Sequence, residues 1–117
     1  MFGIRALGAL FSLTAGSALA ACHHSPSAQE SIADGERIFQ SVCARCHGAD
    51  GHGGPAVGDA NPPRNFRDAA FQTSRSDDAL KLVIQKGKGG MPAFGNLFSP
   101  SELDGLVHKI RSFGPSH

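Results

Sequence analysis

Residues 41–51 read SVCARCHGADG, and they decide how the rest of the chain is to be read. Cys43 and Cys46 stand three apart, and His47 follows the second cysteine directly. Side chains that bind soft metals or attack as nucleophiles are therefore concentrated in one short stretch. One chemistry that uses such a pair is the redox dithiol of thioredoxin type. It opens a helix within a βαβ unit, and no part of this chain alternates convincingly as a strand. A second is a structural zinc site, which needs four ligands in tetrahedral array. Cys22 is the only other cysteine; His52 is within reach, but a second ligand pair is missing.

The third chemistry is covalent attachment of a haem, for which Cys-x-x-Cys-His is the sequence signature. Each thiol adds to a vinyl group of the porphyrin to form a thioether. The adjacent histidine is then held against the iron as an axial ligand. Covalent attachment suits an exported protein, because the group cannot dissociate into the surroundings. Of the three chemistries, this one asks for the residues present and no others.

The composition agrees. At 117 residues the chain is long enough for one domain. Eleven basic and ten acidic residues nearly balance, without the basic stripe that marks a nucleic-acid binder. Fifteen glycines and seven prolines favour turns, and eight phenylalanines are the only aromatic side chains besides histidine. A core drawn from so little is thin, and small domains bury a low fraction of their surface. Such domains usually need a disulfide, a metal or a cofactor as a staple.

Working outward, residues 1–21 carry one early positive charge, Arg5, and then an uncharged run ending in small residues. This is the pattern of a secretory signal peptide. The run, about sixteen residues, falls short of the ~20 needed to span a bilayer. Residues 22–31 open with Cys22 and continue as polar HHSPSAQES, which reads as a flexible tether to a domain over 32–117. Ile32, Gly35, Phe39 and Val42 share one face at helical spacing, so a first helix is expected there. Gly35 costs about 1 kcal/mol in a helix relative to Ala, which marks either a close helix approach or a tolerated surface position. Residues 48–67 are too rich in Gly and Pro for a regular element. A second helix is expected over 77–86, capped by Ser76 and stopped by Gly87. After the loop GKGGMPAFGN, a last helix begins at SPSE: Ser99 caps, Pro100 takes the first position and Glu102 closes a capping box. The expectation is all-α, with three main helices and long loops that wrap something other than protein.

With CARCHG, GGMPAFG, DGERIFQSVC and ELDGLVHKIRSF on the page, the chain resembles the class I cytochrome c family, of the short bacterial type. The resemblance covers about residues 30–115. It implies a fold in which the first and last helices cross beside one covalently bound haem c, with Gly35 and Phe39 at the crossing. Lys109 departs from the family pattern, which often has an aromatic residue there. Cys43 and Cys46 are then the thioether positions and His47 the proximal iron ligand. Met91 is the only methionine besides Met1, and it stands where the family carries its distal ligand. The resemblance gives Pro55 the part of carbonyl acceptor for the His47 ring. Arg64 and Asn65 are candidates for the haem propionates, Arg64 equally well a solvated loop charge. His52, His108 and His117 read as surface residues. Phe66, Phe71, Phe94 and Phe98 are expected to line the haem pocket or the small core around it.

A single haem ligated by His and Met gives a one-electron couple. The function expected is electron transfer with redox protein partners, as a carrier facing the periplasm or as the cytochrome subunit of a membrane oxidoreductase complex. The alternative is a haem enzyme or gas sensor with an open sixth position. Lys81, Lys86, Lys88 and Arg75 could steer an acidic partner, or form an ordinary solvated helix end. LAAC at 19–22 resembles the lipobox of bacterial lipoproteins, so Cys22 is expected to be acylated and to anchor the protein to the membrane. Cleavage after Ala20 to give a soluble periplasmic protein is the competing reading.

Overall fold

The computed structural model describes residues 25–55 and 61–115. The expected signal peptide, Cys22 and His117 lie outside the described residues. Helix α1 (Ala28–Ile38) starts four residues before the apolar periodicity suggests. The reason is a capping box. Glu30 N–H donates to Ser27 Oγ, and the Glu30 carboxylate accepts from Ser27 N–H at 2.7 Å. Residues 28–31, expected as the end of a tether, are thus helical.

α1 runs into a π-helical turn (Phe39–Cys43) and then a last α-helical turn, α2 (Ala44–His47). Ala44 N–H reaches back five residues to the Phe39 carbonyl. The extra residue re-phases the helix. Phe39 stays fully buried, while Val42, Cys43 and Ala44 lie against the core. Gly48, at φ 78°, stops the helix directly after His47.

α3 (Ala69–Ser74) is a helix that the sequence reading leaves out. Its signal is one residue, Asp68, whose carboxylate caps Ala70 and Phe71 N–H. α4 (Asp77–Lys86) has the expected bounds and α5 (Pro100–Ser112) the expected start, with Ser76 and Ser99 as N-caps and the Glu102 capping box in place. Among the described residues there is no strand, only an isolated bridge between Lys88 and Met91. No described helix is long and apolar enough to cross a membrane.

The core is the crossing of α1 on α5, the most extensive helix pairing in the molecule. A Cβ on Gly35 would lie 2.0 Å from the Gly105 carbonyl carbon, and one on Gly105 would lie 1.8 Å from the Ser31 carbonyl oxygen. The two backbones touch because neither residue has a side chain. Of the two readings of Gly35, close approach is the one realised. Ile38, Phe39, Leu103, Leu106, Val107 and Ile110 are buried around the contact, joined by Leu80 and Ile84 of α4. Lys109, where the family often has an aromatic residue, lies over the rings of Phe39 and Phe113. Its ammonium stands 4.5 Å from the Phe113 ring centroid and pairs with Glu36 at 2.7 Å.

Candidate haem site

His47 closes α2, and the loop after it folds back at once. Gly53 N–H donates to the His47 carbonyl at 2.8 Å. Phe66 N–H donates to the Gly51 carbonyl at 2.8 Å, which brings residues 64–66 beside the histidine. The His47 Nδ1 then lies 3.2 Å from the Arg64 carbonyl oxygen. A carbonyl only accepts, so Nδ1 carries the proton and Nε2 of the neutral ring carries the lone pair. Burial lowers the His47 pKa, against an opposing contribution from the Arg64 carbonyl. Both features suit a neutral imidazole ready to bind iron through Nε2. The ring stacks on Phe66, with centroids 4.5 Å apart and planes at 19°.

The acceptor is thus Arg64 and not Pro55, which is exposed. The correction has a physical origin: a backbone carbonyl leaves no residue-type signature, and the path of the loop decides which one arrives. The Arg64 side chain is exposed. Asn65 is half-buried, and its Oδ1 accepts from Arg67 N–H at 2.9 Å, so that oxygen serves the local turn.

Cys43 is half-buried and Cys46 exposed, and neither is in a disulfide. Burial, with a smaller contribution from Cys46, pushes the Cys43 thiol up to about 11. It is therefore a protonated thiol rather than a reactive thiolate. The absence of strands among the described residues argues against a redox dithiol. Zinc fares no better: no three His, Cys, Asp or Glu side chains among the described residues are grouped to hold a metal ion. What remains is a pair of unused sulfurs one helical turn apart, followed by a neutral imidazole. That donor set fits a haem held by two thioethers and one nitrogen.

Met91 lies in a tight turn. Lys88 and Met91 exchange backbone hydrogen bonds at 3.2 and 3.0 Å, and the chain reverses at Gly89, whose φ of 58° only glycine adopts readily. The turn is fixed to the end of α4, since Phe94 and Gly95 N–H donate to the Ile84 and Gln85 carbonyls. Met91 is half-buried and packs against the core, as do Phe94 and Phe98, whose rings are 5.5 Å apart. Phe66 and Phe71 join Phe39 and Phe113 in a second aromatic group, on the His47 side. Sequence reasoning passed over Phe113, whose ring centre lies 5.0 Å from that of Phe39. His52 and His108 are exposed, as expected. Lys81 is engaged by Asp104, while Arg75, Lys86 and Lys88 are exposed.

Two terminal helices crossed at paired glycines, with a thiol pair and a neutral histidine where the first of them ends, define a class I monohaem c-type cytochrome. The comparisons agree, and the chain belongs to this family: residues 30–108 match the family model described as cytochrome c oxidase, cbb3-type, subunit III. The cytochrome c6 of a Synechococcus species is 33% identical over 84 residues, covering 70% of each chain. That of Bumilleriopsis filiformis is 31% identical over 83 residues, covering 69% of this chain and 90% of the other. The cbb3-type cytochrome c oxidase subunit FixP of Azorhizobium caulinodans is 31% identical over 81 residues, but the match spans only 26% of its length. Among solved structures, the KustC0563 c-type cytochrome superposes with a TM-score of 0.58 at 30% identity, covering 70% of this chain and 99% of that one. The chain accordingly carries covalently bound haem c and transfers electrons.

Proposed function

We propose that the haem is attached through Cys43 and Cys46, is ligated by His47 and Met91, and passes single electrons between redox proteins on the periplasmic side of a membrane. The hydrogen bond from His47 Nδ1 to the Arg64 carbonyl carries this reading, because it leaves Nε2 as the donor in an otherwise unused neutral ring. The pinned turn at Met91 supports the thioether as distal ligand. Met with His on iron raises the reduction potential and closes the sixth position to substrate. The exposed Arg64 guanidinium and Asn65 are assigned to the propionates, and exposed Arg75, Lys86 and Lys88 to docking of an acidic partner.

A small separate carrier is favoured by the share of the cytochrome c6 chains that is matched. Service as a subunit of an oxidase is the second reading, favoured by the family model and by FixP. Co-purification with membrane oxidase subunits selects the second. Cys22, in LAAC, is the proposed site of acylation and membrane anchoring. Stable anchoring takes more than one acyl chain, which a lipoprotein terminus supplies. Mass spectrometry of the mature N-terminus decides: a lipid-modified Cys22 supports the anchor, and an unmodified terminus at Ala21 in a fully soluble protein overturns it.

The ligation is tested by the long-wavelength absorption band of Met bound to ferric iron. It is expected in the native protein and lost in Met91→Ala, with a lower midpoint and new peroxidase activity. An unchanged spectrum and potential in that variant overturn Met91. Rapid carbon monoxide binding by a native protein lacking the band would establish an open-site haem enzyme or sensor instead.

A further inference from the structure

Gln72 of α3 is half-buried between the loop and α5, and each of its side-chain polar atoms is used. Its Oε1 accepts from Arg111 Nη1 at 3.0 Å. A guanidinium only donates, which fixes the orientation of the amide. Nε2 therefore faces two carbonyls, those of Phe66 at 2.7 Å and Ile110 at 2.8 Å. Arg111 is fixed in turn. Its Nε and Nη2 donate to Asp77 Oδ1 at 2.9 and 2.8 Å, and its Nη1 also reaches the Gln72 carbonyl at 2.6 Å. The amide of Gln72 has one direction available to it.

That direction ends at the proximal histidine. Phe66 is held on its N–H side by Gly51 and on its carbonyl side by Gln72. Its buried ring stacks on His47. Two residues earlier on the same strip of backbone, the Arg64 carbonyl accepts the Nδ1 proton of His47. The plane of the imidazole and its hydrogen bond are thus set by one three-residue segment. A firm bond at Nδ1 makes the ring a stronger donor at Nε2, which favours ferric iron over ferrous.

We propose that Gln72 is a positioning residue for His47, acting through residues 64–66, and that it biases the haem toward the ferric state. The proposal rests on His47 as the proximal ligand. The test uses the full haem-loaded protein in three forms: native, Gln72→Glu and Gln72→Met. Glutamate keeps an acceptor for Arg111 but turns a carboxylate on the two carbonyls. Methionine removes the donor without adding charge, and it reads the same bond should the Glu variant fail to load haem. Nuclear magnetic resonance of the ferric form follows the His47 ring, and redox titration gives the midpoint. In both variants the paramagnetically shifted His47 signals should move, and the Nδ1 proton should exchange about tenfold faster, the scale of one hydrogen bond. In Gln72→Met, which adds no charge, the midpoint should rise by up to about 59 mV, a tenfold bias for a one-electron couple. Variants that melt lower but keep native His47 signals and midpoint overturn the proposal, since a merely structural Gln72 behaves that way. Native His47 signals at diamagnetic positions overturn the ligation itself, and the proposal with it.

Discussion

Replacing Gly105 by alanine places one methyl group where there is no room. The new Cβ would lie 1.8 Å from the Ser31 carbonyl oxygen and 3.0 Å from the Gly35 nitrogen. Both are backbone atoms, so no side chain can swing aside. α1 and α5 must part by about 1.2 Å before the shorter contact reaches 3.0 Å, the closest approach that real Cβ atoms tolerate. Parting loosens the layers around Phe39 and Leu106, the two largest fully buried side chains. Overpacking of this kind costs about 1–3 kcal/mol, and the upper end applies where backbone must move. Alanine returns about 0.5–1 kcal/mol through its better helix propensity. The net loss is about 2 kcal/mol, or about 8–16 °C in melting temperature for a domain of this size. The assay is thermal unfolding of the haem-loaded protein, followed in parallel by far-ultraviolet circular dichroism and Soret absorption. Gly35→Ala should behave alike, since its Cβ meets Gly105 backbone at 2.0 Å. The double variant should lose less than the sum, because the second methyl enters helices already parted. A Gly105→Ala protein that melts within about 2 °C of native would refute the reasoning.

Lys109→Met should cost about 1 kcal/mol, since it removes the ammonium from Phe113 and from Glu36 while keeping an apolar stem. The Glu36 carboxyl is lowered below 4.5, chiefly by its hydrogen bond to Lys109. Its contribution is therefore complete above the ordinary glutamate range and is lost as pH falls through the lowered native value. The gap in melting temperature between native and Lys109→Met should narrow on acidification, and a gap constant down to about pH 3 would rule out the pair as its source. Cys43→Ser with Cys46→Ser should leave a chain with little stable structure, because haem supplies much of what so thin a core lacks. Helical circular dichroism that melts cooperatively in that double variant would show that the protein part suffices.

The elements legible in the sequence are those whose signals are local. Ser76 and Gly87 bracket α4, and Ser99, Pro100 and Glu102 mark the start of α5. The family resemblance, not a local signal, puts Gly35 and Phe39 at a crossing; the partner glycine, Gly105, stands in the middle of α5. The start of α1 also had its signal, Ser27 three residues before Glu30, inside a stretch read as unpatterned because it lacks apolar residues. α3 is harder, since six residues cannot show a helical period and only the Asp68 cap announces them. The π turn has no residue signature here. Neither does the choice of Arg64 over Pro55 as partner of His47, which follows from backbone bonds at Gly51 and Gly53. Arg111 and Gln72 look like surface residues in the sequence, and become fixed only when α5 docks beside α3.

The crossing of the first helix on the last also sets an order of events in the life of the chain. Ribosomes add about 5–20 residues per second, and α1 is complete long before Pro100–Ser112 exists. Until then its buried face, Ile38 and Phe39 included, has no partner, and an isolated helix of this length is marginal in water. The contact that secures the core joins residues some seventy apart, so its loop closure is slow compared with the local turn at Met91. Cys43 is half-buried against the core that this closure completes. The newly made chain therefore passes through a period in which the core against which Cys43 packs is not yet assembled. Haem attachment falls within that interval, and because haem supplies much of what so thin a core lacks, the docking of α5 follows it.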